Sequence, residues 1–379
     1  MTQPVSLLFT GDFCPHNRVE GLSARGDHAA IFNDFIDVFQ GNDLNIMDLE
    51  CPLTTTTVRV PKTGPHQFAA PHTVEILRYA GVGLVGMANN HIMDCGTPGA
   101  KQTLELCRNA GIATIGIGES DAERRKPYSV TIRGKRIAIL NFAENEFLQA
   151  PDGVMAANGL HPINNYRDIM QARAGHDFVI LFLHGGHEFY ELPSPRMKEL
   201  YRFFIDLGAD AVVSNHTHCF SGYEMYREKP IFYSLGNFIY DWPGKHFKDW
   251  NEGFVVRLLL DEKIRFEIVP MKQGNTLPGV FHLNDEEKLK FSQRLERLSQ
   301  IISDDARLQD AFMAYCRSKK KMYESFLEPN FGTKVASLRA RGFFPRLMKG
   351  RKRLLLLNLM RCESHREVLF DLLSPTKQE

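Results

Sequence analysis

Short apolar runs punctuate the first 220 positions, and most end in a polar or ionisable residue. They are VSLLF (5–9), LNIM (44–47), VGLVGM (82–87), FVILFL (178–183) and ADAVV (209–213). Runs of this length bounded by turn-forming residues predict strands. Between them, apolar residues recur near the helical period in AAIFNDFIDVFQG (29–41), PHTVEILRYAG (71–81), TPGAKQTLELCRNAG (97–111), NNYRDIMQARAG (164–175) and SPRMKELYRFFIDLGAD (194–210). The segment 71–81 opens on proline and stops at glycine, the asymmetry expected of a short helix. TIGIG (114–118) and KRIAILNFA (135–143) add two strands. The recurring β-α-β order predicts a largely parallel sheet covered by helices.

The pattern then changes. PIFYSLGNF (230–238), GFVVRLLLD (253–261) and IRFEIVPM (264–271) are β-rich, and the last two flank a polar DEK as a hairpin would. A second sheet, or a mixed one, follows. Residues 285–327 read as helix, with Leu289, Phe291, Leu295 and Leu298 as its buried stripe. A further helical part, punctuated by Gly342, Pro345 and Gly350, closes in NLMRCESHREVLFDLLS. TTTT (54–57) starts a loop running to about Pro71. The expected division is a chemistry-bearing α/β domain over 1–271 and a helical extension over 272–379.

Composition is that of an ordinary globular protein, 43% apolar and 24% charged. The opening MTQPVSLLFTGD lacks a basic segment and a long apolar run, and LLLLNLM (354–360) is too short to span a bilayer, so the expected location is cytoplasmic. Seven cysteines without framework spacing argue against a disulfide scaffold. Charge is uneven: residues 1–316 hold 31 Lys and Arg against 39 Asp and Glu, while 317–366 hold 14 against 3. RARGFFPRLMKGRKRLLLLNLM (339–360) could therefore present a solvated positive face, meet a membrane surface or protein partner, or bind an anionic polymer. No recognisable nucleic-acid module accompanies it.

The candidate chemistry lies where the apolar runs end. Side chains at the carboxyl ends of strands converge on one edge of an open α/β sheet. Asp12, Glu50, Asn90, His91, His184, His216 and His218 hold such positions, and Cys14 lies two residues beyond Asp12. Alone, Asp12 would read as a turn former and Glu50 as a solvated edge carboxylate. Together with the histidines of FLHGGHEFYELPSP and SNHTH they predict a divalent-metal site. His216 and His218 should point the same way on an extended segment. The donors exceed what one zinc takes, so two cations are expected, with a carboxylate such as Glu50 bridging them roughly 4 Å apart. Mn²⁺, Zn²⁺ or Fe²⁺ would suit the set. His187 and Glu188 either line the cleft or brace its loop. Tyr190, Pro193, Asn237 and Asp241 are secondary candidates; Lys62 and His66 could meet an anionic substrate from the early loop.

The motifs GD (11–12), DLE (48–50), ANNHIMDCG (88–96), HGGHEFYELPSP (184–195) and SNHTHCFSGYEMYREKPIFYSLGNFIYD (214–241) resemble those of the bacterial capsule-synthesis CapA family, also called poly-gamma-glutamate synthesis proteins, in the calcineurin-like metallophosphoesterase superfamily. The resemblance covers roughly residues 5–270. It implies a four-layer α/β/β/α metallophosphoesterase-like sandwich, here followed by a mainly helical, basic C-terminal extension. It also implies Asp12 and His218 at a first metal, Glu50 bridging, and Asn90, His184 and His216 at a second. His91 would be the proton donor to the leaving group, oriented by Asp94. Two departures stand out: the superfamily's Asp-x-His reads Asp12-Phe13-Cys14, and the bridging residue is Glu50 rather than aspartate.

The resulting expectation is a metal-dependent hydrolase of phosphoesters acting on an anionic small molecule or polymer. The alternatives are an amidase acting on a gamma-glutamyl polymer, and a non-catalytic capsule-assembly protein with a vestigial site. No GxxxxGK[ST] phosphate loop is present to support an ATP-driven ligase.

Overall fold

The structure is a computed structural model that describes residues 3–148, 154–242, 244, 248–274, 276–327 and 350–373. Its first sheet is built around β1 (Val5–Cys14). On one side lie β2 (Leu44–Leu49), β3 (Val82–Gly86) and β4 (Ala113–Ile115), all parallel to their neighbours. The little ladder of β5 (Ile117–Gly118) with β8 (Ala156–Ala157) lies beyond. The second sheet runs, in chain order, through β6 (Tyr128–Ile132), β7 (Lys135–Ala143), β9 (Phe178–His184), β10 (Ala211–Asn215), β11 (Tyr223–Tyr226) and β12 (Lys229–Phe232). Its centre is parallel, and antiparallel β6 and β11 form its edges. The chain then returns to the first sheet. There β13 (Asn237–Tyr240) pairs with the end of β1, and β14 (Glu252–Leu260), β15 (Ile264–Gln273) and β16 (Val280–His282) extend it antiparallel. Strand pairing thus continues to His282.

Alternation along β1 explains the layering. Val5, Leu7 and Phe9 join the core shared with the second sheet, whereas Leu8 and Phe13 join the cluster under the first sheet's helices. Phe9 meets Phe182 of β9 edge-on at 5.4 Å. Gly86 opposes that ring without a side chain; a Cβ there would lie 2.8 Å from it. Asn141 of β7 fastens the layers: its Oδ1 accepts from the backbone N–H groups of Met87 and Ala88 at 3.0 and 2.8 Å. The FVILFL strand is buried on both faces, as its unbroken apolar run predicts. Helices such as Gly96–Asn109 cover the first sheet and Pro195–Asp206 the second, which gives the expected four layers.

Several expectations need correction. The segment 29–41 is not one helix: Asn33, at φ 51°, separates Ala29–Phe32 from a 3₁₀ stretch over Asn33–Phe39. The helix expected over 285–327 breaks at Asp304, whose Oδ1 accepts from the N–H groups of Ala306 and Arg307 and starts a second helix, Asp305–Leu327. Leu289 is 60% exposed, so it does not belong to the buried stripe. Phe291, Leu295, Leu298 and Ile302 form that stripe at 4-3-4 spacing, and Leu289 lies two positions away, on the far side of the helix.

Asp305–Leu327 packs with Gly350–Arg361 and Glu363–Leu373 through Phe312, Cys316, Tyr323, Leu359 and Val368. Gly342, Phe343, Phe344 and Pro345 lie outside the described residues, as does the basic stretch 339–349. Among the described residues, no helix is long and apolar enough to cross a membrane.

Candidate metal centre

The carboxyl ends of β1 and β2 and the loop after β3 bring Asp12, Glu50 and Asn90 to the edge where β9 and β10 deliver His184, His216 and His218. Asp12 stands opposite Asp48 on one neighbour and Asn237 on the other. Two of the histidines depart from expectation. The segment after β10 is not extended; His216 and His218 have φ of 107° and 57°. Such backbone at a non-glycine costs on the order of 1–3 kcal/mol and persists where surrounding bonds dictate it. Here the N–H of His216 donates to both oxygens of Asp12 at 3.2 Å. The turn still aims both rings into the cluster.

His184 and His218 each have one ring nitrogen hydrogen-bonded to a supporting partner and the other turned inward. His184 Nδ1 lies 2.8 Å from Asp48 Oδ2. His218 Nδ1 lies 2.9 Å from Asn237 Oδ1. His216 Nε2 faces Glu146 Oε2 at 3.7 Å. The inward nitrogens then crowd: His216 Nδ1 and His184 Nε2 are 3.1 Å apart, with Asn90 Oδ1 3.0 Å from the latter. Burial, with His216 adding to it, holds His184 well below its ordinary pKa, so its neutral imidazole presents a lone pair. An acceptor on the outer nitrogen is the usual support of a metal-bound histidine.

Glu50 completes the argument for a cation. Its two carboxylate oxygens are buried with no hydrogen-bond partner among the described residues. Burial, then the Asp12 and Asp48 carboxylates, push its pKa well up. An orphaned buried carboxylate beside inward lone pairs is costly unless positive charge sits between them. Donor atoms of Glu50, His184 and His216 lie within 4.8 Å of one another, as do those of Asp12, Glu50 and His218. Glu50 is common to both sets. The residues present therefore fit one or two divalent cations.

Beside the cluster, His91 Nδ1 lies 2.7 Å from Asp94 Oδ2, which also accepts from the N–H of Gln67 at 2.6 Å. Lys62, buried, forms an ion pair with Asp94 and comes within 3.1 Å of His91 Nδ1. Burial first, then the Lys62 charge, lowers the pKa of His91. Asp94 thus accepts from Nδ1–H, which leaves Nε2 as the ring's other site for a proton.

The other candidates divide. Cys14 belongs to neither cation set; its Sγ lies 3.0 Å from His16 Nδ1, and burial followed by Cys51 pushes its pKa well up. His187 turns away, with Nε2 2.9 Å from the Ser364 carbonyl. Glu188 is exposed and shares a third grouping with Glu146 and His216. Tyr190 stacks on Tyr315 at 4.2 Å, and Pro193 is buried beside it in sequence. Asp241 pairs with Arg18, and His66 Nε2 meets the Val60 carbonyl at 2.7 Å, so both brace loops. Sequence reasoning overlooked Asp48, Asn215 and Glu146. The first lies inside the quoted DLE motif; nothing local marks Glu146.

Two sheets between helices, with carboxylate, amide and imidazole donors gathered at their strand ends, make a four-layer α/β/β/α sandwich with a candidate metal centre at the sheet edge. The family model for bacterial capsule synthesis protein PGA_cap matches residues 6–242, and the chain belongs to that family. It is 31% identical to a capsule biosynthesis protein CapA of Bacillus anthracis over 192 residues, which are 48% of this chain and 46% of that protein. It is 28% identical to a PGA biosynthesis protein CapA of Bacillus subtilis, with 73% of each chain covered. A solved 5'-nucleotidase precursor from Thermus thermophilus superposes at a TM-score of 0.41 with 13% identity, over 79% of this chain and 59% of that one.

Proposed function

We propose that this chain is a metal-dependent hydrolase whose cluster around Glu50 directs water onto a phosphoester. The observation that carries the reading is the buried, unpartnered Glu50 carboxylate shared by two donor sets. Asp12 and His218 would hold one cation and Asn90, His184 and His216 the other, with Glu50 between them. Divalent cations there would supply Lewis-acid charge and a more acidic water. The chain's own residues do the rest. Asp48 and Asn237 hold the His184 and His218 imidazoles in register. Asp94 orients the His91 ring by accepting from Nδ1–H, so that Nε2, once it has taken up a proton to give the imidazolium, can pass that proton to the departing oxygen and return to the neutral ring. Lys62 holds the Asp94 carboxylate in place through an ion pair.

A second reading, cleavage of a γ-glutamyl amide at the same centre, is favoured by the PGA biosynthesis named for the Bacillus subtilis relative, with PGA read as poly-gamma-glutamate. The test is metal content and turnover of the full chain with Mn²⁺ or Zn²⁺, on phosphomonoesters, phosphodiesters and γ-linked glutamyl peptides. Stoichiometric metal, with turnover lost in Glu50→Ala and His91→Ala, is expected. Chain that binds no metal and turns over none of the three substrates would leave a non-catalytic assembly protein.

A further inference from the structure

We infer that the C-terminal helices roof the metal centre and use Lys319 and Arg351 to bind a small ligand carrying a second anionic group away from the reacting bond. Asn90, His91, Glu146 and His216 on the floor and the helices Asp305–Leu327, Gly350–Arg361 and Glu363–Leu373 above enclose one cavity of about 530 Å³. That volume falls within the roughly 300–1,000 Å³ typical of small-molecule sites. The roof lies wholly beyond residues 6–242, the part matched by the family model. The floor thus lies within the part matched by the family model, and the roof outside it.

The roof is built onto the floor. Glu363 accepts from the N–H and the side-chain amide of Asn145 at 2.9 and 2.8 Å. The Ser364 carbonyl meets His187, and Glu367 takes the Ser194 hydroxyl at 2.8 Å. A chain of bonds then reaches the centre: Tyr323 Oη to His365 Nδ1 at 2.8 Å, His365 Nε2 to Glu146 Oε1 at 3.2 Å, and Asn90 Nδ2 to Glu146 Oε2 at 3.0 Å. Through Glu146, the roof helps aim the Asn90 carbonyl inward.

Charge decides the ligand class. Among the described lining residues, the roof contributes Lys319, Arg351 and His365 and no carboxylate. The floor's carboxylates are Glu146, already bonded to His365, Asn358 and Asn90, and Glu188. Lys319 Nζ sits 5.3 Å over the Tyr315 ring, and an Arg351 guanidinium nitrogen reaches the Thr63 carbonyl at 3.4 Å, so both heads lie at the cavity wall. A guanidinium and an ammonium there suit a carboxylate or phosphate.

The inference rests on the hydrolase reading for what reacts on the floor, and the experiment separates the two. The Mn²⁺-loaded full chain is given 4-carboxyphenyl, 4-methylphenyl and 4-(aminomethyl)phenyl phosphate. Affinity is read as KM where turnover occurs and as Kd by calorimetry where it does not. The carboxylate is expected to bind about tenfold or more tighter than the methyl analogue, the increment of a charge-assisted contact. Lys319→Gln/Arg351→Gln should erase that preference, bringing the carboxylate-to-methyl affinity ratio to about one. Lys319→Glu/Arg351→Glu should favour the aminomethyl probe, a gain that no unfolded variant could show. An unmodified chain without preference, or a double variant that keeps it, overturns the roof. A preference without turnover keeps the roof and removes the hydrolase.

Discussion

Asp48 of the first sheet and His184 of the second share a 2.8 Å hydrogen bond from imidazole Nδ1 to carboxylate Oδ2. The other Asp48 oxygen takes the Asn89 amide at 3.0 Å, so this carboxylate supports the centre from behind. Burial raises Asp48 to about 7, and the amides of Asn89 and Asn215 oppose that rise. Asp48→Asn keeps the shape and removes the charge that holds the ring. Affinity for Mn²⁺ or Zn²⁺ should fall roughly 10- to 100-fold, measured by chelator competition. Unchanged affinity would mean that Asp48 does not aim His184.

Acid should act on the roof through two groups of opposite sign. Burial lowers His187 from 6.5 to about 4. The unfolded ring takes a proton near 6.5 and the folded one only near 4, so its contribution to stability is lost as pH falls through that window. Burial raises Glu367 from 4.5 to about 7, with Arg196 opposing, so its contribution is present below 4.5 and lost as pH rises towards 7. The two offset each other in the native chain. In Glu367→Gln, acidification from pH 6.5 to 4 should loosen Glu363–Leu373 by on the order of 3 kcal/mol, seen as faster amide exchange. His187→Gln should reverse the slope. Parallel slopes in the two variants would contradict this assignment.

Gly11 precedes Asp12 where β1 passes close to Gly236. A Cβ on Gly11 would stand 1.8 Å from the Gly236 carbonyl oxygen, in backbone that cannot move without parting β1 from β13. Gly11→Ala should cost about 3 kcal/mol or more in urea unfolding. It should also abolish any melting shift produced by Mn²⁺, because Asp12 moves with the strand.

The helix Asp285–Ser303 offers a control within one element. Leu298 is 2% exposed and Leu289 60%. Leu298→Ala should cost roughly 2–5 kcal/mol, whereas Leu289→Ser should stay within about 0.5 kcal/mol. Equal costs would argue against the helix face seen here.

Much of the sheet architecture is legible because burial on both faces writes an unbroken apolar run, as in Phe178–His184. The half-exposed β6 carries no such mark. Its hairpin depends on Arg133 and Gly134, both at positive φ, and arginine is not a residue that announces such a turn. Asp12, Glu50 and the three histidines were visible because they follow apolar runs. Asp48 and Asn215 were not, since inside a strand only the neighbouring layer separates a supporting side chain from a donor. Glu146 and His365 are 219 positions apart, and no local pattern can join them.

The order of synthesis gives the roof one more consequence. Residues 12–218, which carry every donor of the cluster, leave the ribosome before the helices that cover them, and domains made first tend to fold first. A nascent chain would then pass through an interval with its ligand set assembled but open to any diffusing ester or ion. Selectivity arrives only when the later helices dock.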